Sequence, residues 1–237
     1  MSDTIREQII AATTAKLTEM RTAYGYSSEC GKTVLRGAMD VASSLCPAIV
    51  LFPRIEQTSR EFGKQIAVMP VEVKALTMLE GVNASTLGER LLGDLITCIL
   101  GVEYTRTFTS GGTYQILPGD LIAGATSHAT GIVLSVTLTT GSWAAGTAVG
   151  SLRFRTQVGA FQAENLNVGV NANVATIAGA ATQIMAKDIS GGNLIDDISY
   201  SGGGVEEYPA TKDEALVVTA TFSVTYSTNI GNPYSQT

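Results

Sequence analysis

The sequence predicts an α+β protein, in which two main helices pack on a mostly antiparallel sheet and a small all-β domain is inserted into that host. Three observations predict this class. Two segments carry helix caps followed by apolar residues at helical spacing, two long segments alternate apolar and polar residues, and a third region changes composition abruptly. At 237 residues, the chain is long enough for one large domain or two small ones.

The first helix is predicted from its N-terminal cap. Ser2, Asp3 and Thr4 are all capable N-caps, and Thr4 with Glu7 has the spacing of a capping box. The apolar residues that follow recur at helical spacing, and the helix is expected to end by Gly25.

The second helix is predicted in the same way. Thr86 and Glu89 repeat the capping-box spacing, so this helix is expected to begin at Ser85 or Thr86 and to end at Gly101. Its buried stripe is expected to consist of four apolar residues, Leu92, Ile96, Ile99 and Leu100.

Strand signals lie between the two helices and near the C-terminal end. Residues 48–52 form a short apolar run, and residues 65–79 and 215–226 alternate apolar and polar side chains. One face of each alternating strand must be buried, while the other is wet or in contact with a neighbour.

A charged hairpin loop is predicted at residues 53–63, between two of these strands. Pro53 and Pro70 are expected to mark edge positions or strand starts, because proline cannot donate to a sheet ladder. The charged residues in and beside this loop are the candidate interface residues of the chain: Arg54, Glu56, Arg60, Glu61 and Lys64.

The region of different composition spans about residues 104–183. It holds 11 of the 25 glycines, only five charged residues and no lysine, with short β-like runs between glycine-rich turns. Disorder is the alternative, but Leu152 and Phe154 alternate with Arg153 and Arg155, and a disordered segment has no reason to keep that period. The predicted domains are a host of residues 1–103 and 184–237 and an inserted β domain of residues 104–183.

Composition excludes several classes of function. Charged residues make up 15% of the chain, whereas about 25% is usual, so we expect an uncharged surface of the kind that meets other subunits. The net charge of −6 and the lack of any basic run argue against a protein that binds nucleic acid tightly, although a channel wall along which DNA passes without binding stays possible.

The charged N-terminus argues against a signal peptide, so the chain is expected to stay in the cytoplasm where it is made. The apolar run at residues 45–52 is too short to span a membrane.

Residues 25–33 resemble a phosphate-binding P-loop but contain one residue too many. A P-loop must also follow a strand and open a helix, whereas this segment follows a helix and precedes strand-like sequence. We therefore interpret it as a solvated turn.

No other motif predicts a catalytic, cofactor or metal site. His128 is the only histidine and is predicted to lie on the surface, and no nucleophile motif surrounds Ser127. The three cysteines have no metal-binding spacing, and Cys46 and Cys98 are interpreted as small buried residues. Six acidic residues near the C-terminus predict either a solvated acidic face or a surface that lines a DNA channel or meets a basic partner: Asp196, Asp197, Glu206, Glu207, Asp213 and Glu214.

The host domain resembles the tail-terminator (minor tail) proteins of long-tailed bacteriophages. The resemblance is carried by the helix that contains residues 5–10, by residues 89–96 leading towards residues 193–198, and by the ending at residues 217–226 with Asn232-Pro-Tyr234 close behind. The inserted region is similar to small β modules that decorate phage virion proteins, through residues 124–131 and 150–155.

This resemblance implies a function without chemistry. Terminators are α/β subunits that form hexameric rings on the finished tail tube, stop its growth and present a surface to the head connector. The implied partners are other copies of the chain, the tail-tube protein and the head-completion protein, with DNA passing through unbound and no membrane or cofactor involved. The implied location is the head-to-tail junction of the virion, after assembly in the host cytoplasm.

Two alternatives remain open at this point. The chain is also compatible with a tail-tube or head-completion subunit, which mixes a sheet with few helices. A module that binds bacterial glycans is the alternative from another class, with Trp143 and Tyr114 as stacking residues.

Overall fold

The computed structural model describes residues 3–38, 40–79, 83–190, 193–209 and 214–236. Short 3-10 turns lie at Thr22–Tyr24, Cys30–Lys32, Ser43–Leu45 and Ala186–Ser190. In chain order, the described helices and strands are α1 (Ile5–Leu17), β1 (Val34–Arg36), β2 (Ala48–Pro53), β3 (Gln57–Glu61), β4 (Lys64–Met78), α2 (Ala84–Leu100), β5 (Glu103–Ser110), β6 (Leu121–Gly124), β7 (Thr130–Thr140), β8 (Val149–Val158), β9 (Glu164–Val168), β10 (Asn171–Ile184), β11 (Asp197–Glu207) and β12 (Ala215–Asn229).

The chain divides into two compact units. The sheet unit comprises Met1–Thr22, Tyr26–Gly101 and Ala186–Thr237, and the barrel unit comprises Ala23–Gly25 and Val102–Met185. Strands dominate both units, and the helices of the described residues lie in the sheet unit, so the predicted α+β class is confirmed.

The sheet unit is built on one sheet of six strands. Its order is β1-β2-β4-β12-β11, and β3 pairs with β4 beyond the end of β2. Only the β1–β2 pairing is parallel among these described strands. The predicted alternation is confirmed, because the inward residues of β4 and β12 are buried, namely Ala67, Met69, Val71, Val73, Ala75, Leu216, Val218, Ala220, Phe222, Val224 and Tyr226.

Pro70 does not lie at an edge, as the sequence predicts, but within the central strand β4. The reason is a local gap on one side of that strand. Pairing with β3 ends at Val68, and pairing with β2 begins at Val71. The carbonyl of Pro70 accepts a hydrogen bond from the N–H of Arg54 at 2.8 Å across this gap, and no ladder partner needs the N–H that proline lacks.

Both predicted helices are present, although one is capped differently. Thr4 caps α1, and its Oγ1 accepts a hydrogen bond from the N–H of Glu7 at 3.1 Å, as its capping-box spacing predicts. Asn83 caps α2, and its Oδ1 accepts from the N–H of Thr86 at 3.2 Å. The predicted Thr86–Glu89 capping box is therefore wrong, because an asparagine three residues earlier takes the cap.

The buried face of α2 also differs from the predicted stripe, of which only Ile99 is buried. A Cβ at Gly88 would collide with Cγ2 of Val205 on β11, so the lack of a side chain lets this side of the helix approach the sheet closely. The buried residues of α2 are Gly88, Leu91, Leu95, Cys98 and Ile99.

β11 carries three of the six acidic residues that the sequence places near the C-terminal end, namely Asp197, Glu206 and Glu207. Asp197 lies at its start, beside Thr225, and Glu207 lies at its end, beside Val217. At about 3.3 Å per residue, a strand of this length separates them by roughly 30 Å. The six acidic residues therefore do not all lie together, and Asp213 lies outside the described residues. A solvated acidic face and a surface that meets DNA or a basic partner both stay predictions.

The barrel unit is a closed barrel in which every strand pairs with two others. The order is β10-β5-β8-β7-β6-β9, with β9 pairing back to β10, and the pairings are antiparallel. Leu152 and Phe154 point inward and are buried, in agreement with their predicted alternation on β8. Closure leaves no open sheet edge in this unit.

Trp143, the only tryptophan of the chain, belongs to the barrel core. Its side chain is 6% exposed and stacks on Phe108 with ring centroids 5.1 Å apart and an interplanar angle of 6°. Tyr114 is half-buried against the same core. The prediction of Trp143 as a sugar-stacking residue is therefore wrong, because its ring is buried in the barrel core.

Glu164 is a buried carboxylate that organises the turn between β6 and β7. Its Oε2 accepts from the N–H groups of Thr126 and Ser127 at 2.8 Å each, and its Oε1 accepts from Oγ of Ser127 at 2.5 Å and from the N–H of Gln162 at 3.1 Å. Burial acts to raise the pKa of Glu164, but these hydrogen bonds favour the charged form and lower its pKa to about 2.

We predict that Glu164→Gln destabilises the barrel by roughly 2 kcal/mol at neutral pH, because an amide cannot accept all of these hydrogen bonds. The pKa of Glu164 is about 2 in the folded chain against 4.5 for a free glutamate. Its stabilising contribution is therefore complete above pH 4.5 and is lost as the pH falls towards 2.

Urea unfolding followed by the fluorescence of Trp143 measures the barrel selectively. The wild-type chain should lose stability over this acid range, whereas the Glu164→Gln variant should lose less. Glu89→Gln, at an exposed site on α2, is the control. It should change neither the stability at neutral pH nor the loss of stability in acid. Equal acid sensitivity of the wild type and the Glu164→Gln variant would contradict the assignment.

Candidate functional site: the β3–β4 hairpin

The β3–β4 hairpin is an exposed feature of the sheet unit, since every residue of β3 is exposed. The sequence predicts most of it as a loop. That prediction is wrong for Gln57–Glu61, which forms strand β3 and pairs with β4 from Glu61 opposite Lys64 to Gln57 opposite Val68. Phe62 and Gly63 form the connecting two-residue turn, with φ values of 46° and 83°. Positive φ at both positions characterises a type I′ turn, whose twist matches that of the strands.

Phe62 contradicts the preferences of its own turn. The first position of a type I′ turn favours asparagine, aspartate or glycine, because a left-handed backbone conformation is strained for an aromatic residue. The side chain of Phe62 is 97% exposed, so it contributes no burial to the sheet unit. Neither the turn nor the core accounts for this residue.

The segment that joins β2 to β3 presents a second exposed apolar side chain. Ile55 is 91% exposed, and it lies between two charged residues, Arg54 and Glu56. Sequence analysis missed both Ile55 and Phe62 because it selected the charged residues around them. The available signal was an apolar residue that fits no strand or helix period.

Arg54 fixes the base of the hairpin to the outer face of the sheet. Its Nε and Nη2 donate to Oε2 of Glu72 at 2.9 and 2.7 Å, and its guanidinium lies over the ring of Phe52 at 5.2 Å from the centroid. Its carbonyl also accepts a hydrogen bond from Nη2 of Arg6 at 2.9 Å. These contacts define the backbone course where the chain leaves β2.

Glu56 fixes the same segment from the opposite side. Its Oε2 accepts a hydrogen bond from the hydroxyl of Tyr226 at 2.6 Å and lies 3.2 Å from Nε of Arg6. The Arg6 contact is an ion pair without hydrogen-bond geometry, since this Nε has no hydrogen-bond partner among the described residues. Burial and the hydrogen bond to Glu56 both raise the pKa of Tyr226, so its hydroxyl stays a donor.

Ion pairs continue from the hairpin base across the outer face of the sheet. Nζ of Lys74 lies 3.6 Å from Glu72 on its own strand and 2.7 Å from Oε1 of Glu206 on β11. The hydrogen bonds from Lys74 and Thr219 lower the pKa of Glu206. Because these groups are partly exposed, each pair adds at most about 1 kcal/mol to stability, and the network mainly orients side chains.

The five candidate interface residues therefore divide into two groups. Arg54 and Glu56 make contacts within their own unit and anchor the hairpin. Arg60 and Glu61 are exposed on β3, and Lys64 is half-buried where β4 begins. The charges on β3 also limit indiscriminate pairing of this edge strand with other chains.

The P-loop-like segment does not form a phosphate cradle. The N–H groups of Gly31, Lys32 and Thr33 donate to the carbonyls of Met20, Glu29 and Cys30 at 2.8, 2.9 and 3.3 Å, respectively, so none of them points freely at a ligand. Nζ of Lys32 lies 3.1 Å from a carboxylate oxygen of Glu29. A cavity of about 400 Å³ borders this segment, but its cation is already paired.

The remaining candidate groups are dispersed. His128 is exposed in the turn between β6 and β7, Cys98 and Cys30 are buried, and Cys46 is only half-buried, which corrects its predicted burial. Burial raises the pKa of the Cys30 thiol to about 11. Within the described part of the chain, no group of three or more His, Cys, Asp or Glu residues is positioned to hold a metal ion, and no helix is long and apolar enough to cross a membrane.

Comparison with known protein families and with curated proteins found no match to this chain.

We predict that nucleotides do not stabilise this protein, because the amides of its P-loop-like segment are already hydrogen-bonded. A ligand bound only to the folded state must raise the melting temperature as its concentration increases. ATP and GTP with Mg²⁺ should therefore leave the melting curves of the wild type and of Lys32→Ala unchanged. Saturable stabilisation of the wild type that Lys32→Ala abolishes would show that the segment binds phosphate.

Proposed function

We propose that this chain is a structural subunit that assembles with copies of itself into a ring, through a contact made by the tip of the β3–β4 hairpin. We propose further that the ring is hexameric and terminates the tail tube of a long-tailed bacteriophage. The observation that carries the first proposal is the conformation and exposure of Phe62. The second rests on the resemblance of the host domain to tail terminators.

Phe62 supports assembly because its position has a cost that folding does not offset. An exposed aromatic residue in a left-handed turn is disfavoured both by its backbone conformation and by its contact with water. Insertion of this ring into a pocket of a neighbouring subunit would stabilise the contact by roughly 1.5–3 kcal/mol. Each subunit of a ring makes this contact once, so the gain is repeated around the assembly.

A hairpin that projects from one subunit into another makes a head-to-tail contact. Such contacts close into a ring when the rotation between subunits divides a full turn, and otherwise continue into a filament. A ring corresponds to a terminator, and a filament corresponds to the alternative, a tail-tube subunit. The anchoring of Arg54 and Glu56 supports a contact of defined geometry, which either assembly needs, and the ring itself is proposed from the terminator resemblance.

The remaining parts of the proposal follow from the terminator resemblance and agree with the charge of the chain. A net charge of −6 suits a channel through which DNA passes without binding. The other proposed partners are the tail-tube protein and the head-completion protein, at the head-to-tail junction of the virion. No catalytic step and no cofactor is part of this proposal.

The barrel unit is proposed to be an independently folding domain inserted into the host. Its strands lie within Glu103–Ile184, close to the predicted bounds, and its core residues form one cluster of their own. A closed barrel needs no further strand to complete its pairing. This is the organisation of a module that decorates a scaffold.

We predict that Phe62→Asn weakens assembly without destabilising the subunit. Asn-Gly is a favoured type I′ turn, so the stability of the monomer should stay constant or rise by up to about 1 kcal/mol. Loss of the buried ring should lower the association constant about tenfold or more. Mass photometry and electron micrographs, with and without purified tail tubes, measure the assembly.

Val170→Asn is the matched control, since Val170 is 100% exposed in the two-residue turn that it forms with Gly169 in the barrel unit. This variant should assemble like the wild type. A wild-type chain that stays monomeric with and without tubes would contradict the ring, as would equal effects of the two substitutions. If the pure protein formed filaments, a tail-tube subunit would be favoured over a terminator.

We also predict that the barrel unit is removable. Replacing residues 104–183 by a short Gly/Ser linker should change the folding free energy of the host by about 1–2 kcal/mol at most, because loop-closure entropy varies slowly with length. Expressed alone, residues 102–185 should give a β-rich circular dichroism spectrum and a cooperative melt that Trp143 fluorescence follows. Aggregation of the host together with an unstructured fragment would show that the units share a core.

A further inference from the structure

Arg106 is a charged residue on the inner face of the barrel. It lies on β5, where alternate residues Tyr104, Arg106 and Phe108 point inward, and its side chain is among the most buried of the charged residues described, with a relative exposure of 9%. Sequence analysis counted this arginine among the few charges of the region but assigned it no role. The signal was its position in the alternation, where an apolar residue is expected.

The guanidinium of Arg106 is only partly satisfied. Its Nη2 donates to the carbonyl of Phe161 at 2.8 Å, whereas Nε and Nη1 are buried and have no hydrogen-bond partner among the described residues. Those two nitrogens carry three N–H donors between them. Burial of a cation without a counterion is costly, and buried N–H donors without acceptors add to that cost, so Arg106 destabilises the barrel at this position.

A cavity of about 90 Å³ adjoins this guanidinium. Its walls are mainly aromatic and small residues, and none of the residues that line it is acidic, so Arg106 has no counterion there. The lining residues are Tyr104, Arg106, Phe154, Thr156, Gly159, Ala160, Phe161 and Ala181. At roughly 30 Å³ per water molecule, the cavity has room for a carboxylate group. Because the cavity is partly open to solvent, the body of an acid can extend out of it.

The wall of the barrel is interrupted beside Arg106. Thr107 pairs with Ala178 and Thr105 pairs with Thr182, so residues 179–181 of β10 stand opposite Arg106 alone. A bulge of this kind disrupts the ladder and bends the strand, and bulges are frequent next to binding sites. Ala181, which lines the cavity, belongs to this bulge.

We propose that this cavity binds the carboxylate group of a small organic acid, with Arg106 as its counterion. A carboxylate carries one charge, which one guanidinium neutralises, and its oxygens accept the N–H groups that now lack partners. Phosphate would bring a second charge, and the cavity offers no further cation. The rings of Tyr104, Phe154 and Phe161 favour an acid with a flat apolar body.

Titration of the full chain with sodium benzoate, acetate or phosphate at constant ionic strength tests this proposal. Calorimetry and the NMR signal of the Arg106 Nε–H group report binding. Benzoate should bind saturably and more tightly than acetate, whereas phosphate should not bind at this site. No saturable change with either carboxylate would overturn the proposal, because the cavity then holds only water. Equal binding of phosphate would overturn the carboxylate class.

Arg106→Met removes the charge and keeps the length of the side chain. It should weaken benzoate binding about tenfold or more. It should also raise the melting temperature of the unliganded barrel, followed by Trp143 fluorescence, because a buried unpaired charge is lost. If the role of Arg106 were purely structural, the Arg106→Met variant would have a lower melting temperature and would bind benzoate like the wild type. That result would overturn the proposal.

Two further variants complete the test. Arg155→Met is the matched control, because Arg155 lies on the outer face of β8, where it donates to the carbonyl of Tyr24, and benzoate binding should not change. Ala181→Leu fills the cavity but retains Arg106, so it should abolish binding even if Arg106→Met fails to fold. Unchanged binding in the Ala181→Leu variant would place the ligand elsewhere.

Discussion

The pairing of β4 with β12 is the constraint on which the sheet unit depends. Fifteen consecutive residue pairs hold one register, from Lys64 with Asn229 to Met78 with Ala215. A shift by one residue would turn every inward side chain of these strands outward, so this register decides which residues form the core. The same register also positions features outside the core. The hairpin turn is closed at Lys64, and the ion pairs of the outer face involve Glu72 and Lys74 of β4.

Two of the buried charged residues described in the barrel, Glu164 and Arg106, show opposite solutions to the same physical problem. Glu164 receives four hydrogen bonds from the turn around it, and a Cβ on Gly124 would enter the space that its carboxylate occupies. Arg106 donates one hydrogen bond to a carbonyl and has no acid in its cavity. A charge that the fold satisfies stabilises the fold, whereas the partly satisfied charge of Arg106 is the basis of the proposed carboxylate site.

Phe62 is a related conflict at the surface of the sheet unit. Local preference, burial and pattern agree along most of this chain, as they do in sequences that specify one structure. At Phe62 the backbone conformation and the exposure both oppose the residue. Arg54 and Glu56 hold the hairpin that carries it at a defined place, so a strained residue is presented by a rigid support. This conflict is the basis of the proposed contact at the hairpin tip.

The sequence by itself determined the α+β class, both helices, the inward faces of β4, β8 and β12, and the charged segment that anchors the hairpin, because apolar periodicity and caps are local signals. Tertiary structure decided the rest. Asn83 caps α2 in place of the predicted Thr86, and the close approach at Gly88 lies on the face of α2 that is buried. The sequence did not predict β11 because its glycines interrupt any alternation. The exposure of Phe62 and the unpaired nitrogens of Arg106 depend on which residues surround them in space, and sequence spacing does not encode those neighbours.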